Sequence, residues 1–399
     1  MSNGAVRRVD TVIVGGGIAG TALAYYLARG GVEDIVLLER DQLGSGMTAA
    51  SFSGVRQQFS TPLEIELSKR GLRFWKTCEE QFDSPCPFNQ CGYLLVTSRP
   101  EVMQKFEKSA KLQREMGAGP VELLDPAGVH SVAPWLATDD LVGGSYTPED
   151  GRVTGTDGVA ALAKGARSHG VDIRQWSPVT AIERHGHGYR VIGPKDTIDA
   201  RRVVVAAGLW SPMLLEPLGL EIDVFPLELH YALTTPALDS STVPLTIDFD
   251  TGFCIEREGP GLAVSMLVSK TPPGYGQQEM LESWFAAATR RAPALVNLGI
   301  SHMLSAPVDE VSDGHPNAGR MEEELWVLAG FAGHGVMHGP ALAELLARMM
   351  LGDPDQTVDL EPCNPLRAAE LSLENEWMAT PIRESSVPDE LSKSRETNR

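Results

Sequence analysis

The stretch VIVGGGIAGTALA, Val12–Ala24, decides how the rest of the chain is read. An apolar run, three consecutive glycines and an apolar, alanine-rich segment read as strand, tight turn and helix. The spacing predicts a strand over Val9–Val14, a helix over Ile18–Arg29 and a second strand over Asp34–Glu39 (DIVLLE), a βαβ opening. Inside the turn, Gly15, Gly17 and Gly20 form G-x-G-x-x-G. Gly15 permits the tight turn, Gly17 lets the backbone approach a pyrophosphate, and Gly20 lets helix and strand pack closely. The phosphates would lie at the positive end of the helix. Glu39 closes the second strand about 20 residues further on, placed to accept from ribose hydroxyls. The chain therefore carries a dinucleotide site. No second G-x-G-x-x-G follows a strand elsewhere, so that site holds either NAD or FAD.

Composition narrows the function from outside. At 399 residues the chain has room for two linked domains, and 42% apolar with 22% charged residues fits a soluble globular protein. A formal charge of −19 excludes a nucleic-acid or anionic-membrane surface as the main partner. The five cysteines, Cys78, Cys86, Cys91, Cys254 and Cys363, are scattered, with no C-x-x-C, which fits a reduced, cytoplasmic setting without disulfides. The nine histidines make no metal signature. The apolar run after Arg7 and Arg8 contains several glycines and leads into a further strand pattern, so neither a signal peptide nor a membrane span is expected.

Along the chain, Thr61 reads as an N-cap with Pro62 at the first helical position and Glu64 completing a capping box. Leu63, Leu67, Phe74 and Trp75 form that helix's apolar face. Helices are also expected over 101–116, 156–169, 277–291 and 335–350. Strands are expected over 92–97, 171–175, 178–184, 188–193, 201–206 and 325–330, with 223–270 strand-rich. The fold class is α/β: a Rossmann-like dinucleotide domain built from discontinuous segments (1–84, 152–219 and 310–368). An antiparallel-sheet substrate domain (85–151 and 220–309) is inserted into it, and a polar tail is expected from Glu384 to Arg399.

Four further segments carry a family resemblance: GSGMTAASFSG (44–54), AAGLWS (206–211), DGHPNAGR (313–320) and LAGFAGHGVMHGPALAELLA (328–347). With them the chain resembles the D-amino-acid oxidase family of FAD-dependent oxidoreductases. Its nearest likeness is to the sarcosine oxidase and dehydrogenase, dimethylglycine dehydrogenase and proline dehydrogenase β-subunit branch. The resemblance runs to about residue 368. It implies FAD held by Gly15, Gly17, Gly20, Glu39 and Arg40, with Ser45 along the pyrophosphate and Val179 near the adenine. Ala207, Gly208 and Trp210 would pack near the ribityl chain, and Gly330, Gly333, His334, Gly335, Val336 and Met337 would cover the flavin. A helix N-terminus aimed there stabilises the negative charge of the reduced ring.

The segment GVRQQFS, Gly54–Ser60, is like that of the proline dehydrogenase β-subunit group. Arg56 has no acid within four positions on either side. The resemblance implies that it holds the substrate carboxylate, for which a rigid two-pronged donor suits better than a lysine. The alternative is that Arg56 pairs with an acid of the inserted domain or tethers a loop carbonyl. His334 is a candidate base, and His230, Tyr231, Phe253 and Met337 are candidate substrate contacts.

Several departures from the family pattern shape the expectation. Ala306 and Thr48 stand where relatives carry a covalent flavin link, so non-covalent FAD is expected. Ala263 replaces an oxygen-activating lysine, which tilts toward a dehydrogenase, and Met337 replaces a lysine that helps anchor the carboxylate. Phe253 and Leu267 replace polar walls, which favours a bulkier or cyclic substrate over sarcosine. The expected reaction is oxidation of a secondary or cyclic amino acid to an imine. The electron acceptor would be oxygen or another redox partner, with companion subunits a further option. The rivals are an NAD(P)H-using monooxygenase and a non-catalytic FAD-binding assembly protein.

Overall fold

The computed structural model describes residues 7–237, 243–267, 274–367 and 376–378. The expected polar tail from Glu384 onward lies outside them. The opening unit forms as β1 (Arg7–Val14), α1 (Ile18–Arg29) and β2 (Ile35–Leu38). β2 and the second half of β1 are buried throughout and mostly apolar, because both faces are covered there.

β1 and β2 lie in the first of two eight-stranded sheets. Its parallel part runs Leu325–Ala329, Thr197–Val205, β1, β2, Asp172–Arg174. Thr197–Val205 is long enough to serve two neighbours on one side. Its first half pairs antiparallel with Gly188–Ile192, and its second half pairs parallel with Leu325–Ala329. α1, α2 (Pro62–Phe82), the helix Gly155–Ser168 and the final helix Gly335–Met350 cover one face. Leu23, Leu27, Trp75, Leu162 and Leu342 bury that layer.

The second sheet runs Ile300–Glu310, Phe225–Thr234, Gly261–Met266, Phe253–Glu258, Leu245–Asp248, Tyr93–Thr97, Gly143–Thr147, Glu122–Leu124. It departs from the purely antiparallel sheet expected at one pair: Leu245–Asp248 and Tyr93–Thr97 are parallel, joined through a long excursion of the chain. The helix Gln277–Arg291 packs one face through Met280, Trp284 and Ala288. The opposite face of this sheet looks toward the first domain.

The start of α2 differs from the expected capping box. Thr61 is the N-cap residue, but its hydroxyl donates to the Glu64 carboxylate, whose other oxygen pairs with His315 Nδ1 at 2.7 Å. The amides of Ser60 and Thr61 are satisfied by Glu376, from far along the chain. Among the described residues no helix is long and apolar enough to cross a membrane, and all five cysteines are buried and free.

Candidate active site

A cavity of about 640 Å³ lies between the C-terminal ends of the parallel strands and the inward face of the second sheet. Strand ends of a parallel sheet, where the chain leaves in opposite directions, are where such folds hold ligands. Gly15 follows β1 with φ +115°, and a Cβ there would stand 2.2 Å from the carbonyl oxygen of Ala206. Gly20 lies so close beneath that a Cβ would meet the Gly15 carbonyl oxygen at 2.1 Å. Only glycine fits either place.

α1 then starts at Gly17 without a side-chain cap, and Gly17, Ile18 and Ala19 line the cavity. One amide, Ile18 N, donates to Thr48 Oγ1 at 3.2 Å. The rest of the helix start is a cradle for an anion. Glu39 accepts from Gly16 N (2.7 Å) and Asp41 N (2.8 Å), which leaves carboxylate lone pairs for sugar hydroxyls. The Arg40 guanidinium lies 3.7 Å over the Trp210 ring. Ser45, whose hydroxyl donates to Gln42 O (2.8 Å), lines the cavity with Val179, Ala207 and Gly208. These residues fit an extended dinucleotide. Gly20 and Gly330, expected to contact it, do not line the cavity. Gly20 serves helix–strand contact, and Gly330 forms a turn whose amide donates to Asp309 Oδ2 at 2.8 Å.

The final helix starts at His334, also without a side-chain cap, and presents Gly335, Val336 and Met337 to the cavity beside Gly333. Pro340 within this helix cannot donate to the carbonyl of Val336. Trp75 Nε1 does so instead, at 3.0 Å, so the kink-prone first turn is tied to α2. Asp309, buried beside this turn and lining the cavity, has its carboxyl pushed up to about 6 by burial, opposed by the amides it accepts from.

Arg56 is 3% exposed and lines the same cavity. Nη1 donates to Gln58 O at 2.8 Å, and Nη2 donates to Met378 O at 2.7 Å. Nη2 also lies 3.3 Å from His334 Nε2. Because a guanidinium cannot accept, that imidazole nitrogen is the acceptor and the ring proton sits on Nδ1. The guanidinium stacks over Phe59 at 4.3 Å. Its bonded partners are thus two carbonyls and an imidazole, none of them anionic. His338, behind Phe59 and bonded to Ser68 Oγ at 2.8 Å, is driven down to about 3 by burial and then by Arg56.

Strand alternation decides the substrate wall. Leu227, Leu229 and Tyr231 face the cavity, so His230 faces the other way. It bonds Ser305 Oγ through Nδ1 (2.8 Å) beside Tyr275, which corrects its expected substrate role. Phe253 is corrected likewise. It stacks on Trp284 at 5.3 Å, under the covering helix, and its neighbour Cys254 lines the cavity. Ala263 faces the inward side, opposite Glu256, but does not line the cavity. Leu267, Ala306 and Thr48 do. Tyr93, Leu245, Ile247 and Met378 complete the wall and were not expected. Register from Tyr231 and Cys254 could have found the strand residues, but nothing near Arg56 in sequence points to Met378.

Comparison with known proteins places this geometry. The family model described as FAD dependent oxidoreductase, DAO, matches residues 10–349. Mitochondrial dimethylglycine dehydrogenase of Rattus norvegicus is 27% identical over 384 residues, covering 89% of this chain and 44% of its own length. Glycine oxidase of Bacillus licheniformis is 26% identical, covering 89% of this chain and 96% of its own length. The crystal structure of L-proline dehydrogenase from P. horikoshii superposes with a TM-score of 0.84 at 26% identity, covering 91% of this chain and 98% of that one. The chain spans less than half the length of the dimethylglycine dehydrogenases it matches.

Proposed function

The chain belongs to the DAO family of FAD-dependent oxidoreductases, and on that premise we propose that it oxidises a carboxylate-bearing secondary or cyclic amine to the imine. The observation that carries this reading is Arg56: a buried cation, bonded to neutral groups, at an otherwise apolar wall of the cavity. Asp150 lies within electrostatic reach of this cation but is bonded to Gln57 instead. A buried charge with no bonded anion is costly, and a ligand carboxylate would complete it with two parallel bonds.

FAD would be held by Gly15, Gly17, Glu39, Arg40, Ser45, Val179, Ala207, Gly208 and Trp210, with Gly333, His334, Gly335, Val336 and Met337 around its ring. Neither Thr48 nor Ala306 offers a covalent attachment point, so the cofactor is bound without one. When bound, FAD supplies the acceptor for a hydride, at its N5. The protein's part is to hold and orient. Arg56 fixes the carboxylate, while Tyr93, Tyr231, Leu245, Ile247, Cys254 and Leu267 exclude water and hold the carbon skeleton. The same low-dielectric chamber and the Arg56 charge disfavour an ammonium ion, so the amine is held in its neutral, reactive form without a dedicated base. His334 then acts through Arg56, by orienting the guanidinium. The first turn of the final helix offers its amides to the charge that develops on reduction. Ala263 brings no cation to the inward face of its strand and stands opposite Glu256, which favours a dehydrogenase over an oxidase.

The test is the visible spectrum of the anaerobic holoprotein mixed with dimethylglycine, L-proline, sarcosine and glycine, each beside its decarboxylated amine. Bleaching by an acid but not by its decarboxylated partner is the expected result. Equal bleaching by the pair, or bleaching by NAD(P)H alone, would overturn the reading.

A further inference from the structure

Beyond Arg367 the structure describes three residues, Glu376, Trp377 and Met378, and they sit at the arginine end of the cavity. Glu376 and Met378 are buried at 0% and 1% exposure. The Glu376 carboxylate accepts from Ser60 N (2.8 Å), Thr61 N (2.9 Å) and Ser60 Oγ (2.5 Å), just ahead of the 21-residue helix α2. Burial and the neighbouring Glu64 raise this carboxyl above the usual range, and the bonds from Ser60 and Met378 oppose that shift. Trp377 stacks on Phe106 at 5.9 Å and meets Phe249 edge-on at 5.5 Å. Met378 lines the cavity, its carbonyl takes the 2.7 Å bond from Arg56 Nη2, and its sulfur accepts from Gln113 Nε2 at 3.9 Å.

That bond falls on the nitrogen a substrate needs. A guanidinium grips a carboxylate with two prongs in two ways, side-on through Nε and Nη2 or end-on through Nη1 and Nη2. Both use Nη2, whose two hydrogens are directed at Met378 O and His334 Nε2. His334 is fixed by backbone bonds on both sides (His334 N to Phe331 O, 2.8 Å; His338 N to His334 O, 2.9 Å) and by the rings of Phe59 and His338. The partner able to yield is the Met378 carbonyl.

We propose that Glu376–Trp377–Met378 is a strap that holds Arg56 in the absence of substrate and is displaced by the substrate carboxylate, so that the chain's own C-terminal segment competes with substrate and helps set which acids bind. This rests on the reading of Arg56 as the carboxylate anchor. Docking lowers apparent affinity by the fraction of molecules in which the strap is released. A neutral amine that does not need Arg56 escapes the competition.

The experiment uses the full-length holoprotein and two variants that loosen the strap at separate anchors, Glu376→Ala and Trp377→Ala, with Arg56→Met as reference. Anaerobic titrations follow the flavin spectrum with L-proline against pyrrolidine, and with dimethylglycine against trimethylamine. Both strap variants are expected to tighten apparent Kd for the acids by about tenfold, the scale of one bond to a charged group, and to leave the amines unchanged. Hydrogen exchange gives a readout independent of turnover: saturating L-proline should speed exchange of the Ser60 and Thr61 amides that Glu376 covers. If Arg56→Met weakens the acids but the strap variants do not tighten them and those amides stay protected, the anchor stands and the strap falls. If Arg56→Met leaves the acids unchanged, both fall.

Discussion

The glycine turn proposed for the pyrophosphate and the wall proposed for the substrate line one cavity, yet they are specified in opposite ways. The turn is local. Gly15, Gly17 and Gly20 lie within six residues of one another, and the backbone they shape is itself the binding surface. The wall is assembled from Tyr93, Tyr231, Leu245, Cys254 and Met378, contributed by four strands and a distant segment, where a shift of one residue turns a side chain to the other face. At Gly15 and Gly20 the local site tolerates no added atom. A tertiary wall tolerates change unless the side chain lies on its covered face.

The sharpest way to break that contrast is Gly15→Val. A Cβ 2.2 Å from the Ala206 carbonyl, at a positive φ, should cost more than about 4 kcal/mol and yield protein without flavin. Flavin absorbance per chain together with Tm checks it, and a yellow variant of ordinary Tm would show that the turn can yield. Phe253→Ala probes the covered face. Losing the stack on Trp284 should cost about 3–5 kcal/mol in urea unfolding while amine affinity of the folded protein is kept. Its neighbour Cys254→Ala should do the reverse, shifting the preferred amine with a small change in stability. Arg56→Met, on the cavity side, should raise apparent Kd for acids by about 2–5 kcal/mol and leave FAD bound.

A pH-dependent effect concerns Glu256, buried on the inward face. Burial holds its carboxyl up at about 8, against 4.5 for an exposed one, with Arg152 opposing and Glu258 reinforcing the shift. Between those values the folded chain keeps a proton the unfolded chain has lost. Its contribution to stability is therefore complete below about 4.5 and disappears as pH rises through 8. Glu256→Gln should remove a slope of about 1.4 kcal/mol per pH unit across that window, seen by comparing urea midpoints of the two proteins at several pH values. An unchanged slope would mean that the group is ionised in the folded state.

Much of the helical structure is legible in the sequence. The helices over Ile18–Arg29 and 335–350 on the first sheet, and 277–291 on the second, have the expected bounds, because apolar periodicity and flanking glycine or proline act over a few residues. The start of α2 was half legible. Thr61 and Pro62 mark it, but the carboxylate that satisfies its amides comes from Glu376, more than 300 positions away. On the wall, His230 and Tyr231 could not both face the cavity, since adjacent strand residues point to opposite faces. Phe253 misses the cavity that its neighbour Cys254 lines, for the same physical reason.

By itself the sequence determined the glycine turn between strand and helix, which family the chain resembles, and that Arg56 has no local counter-charge. Only the tertiary structure decided which face of each strand meets the cavity, that the guanidinium's partners are neutral, and that Met378 occupies Nη2. The reason is range. Backbone conformation and helix signals are set by neighbours a few bonds away, whereas the surroundings of a buried charge are set by whatever the fold carries to it.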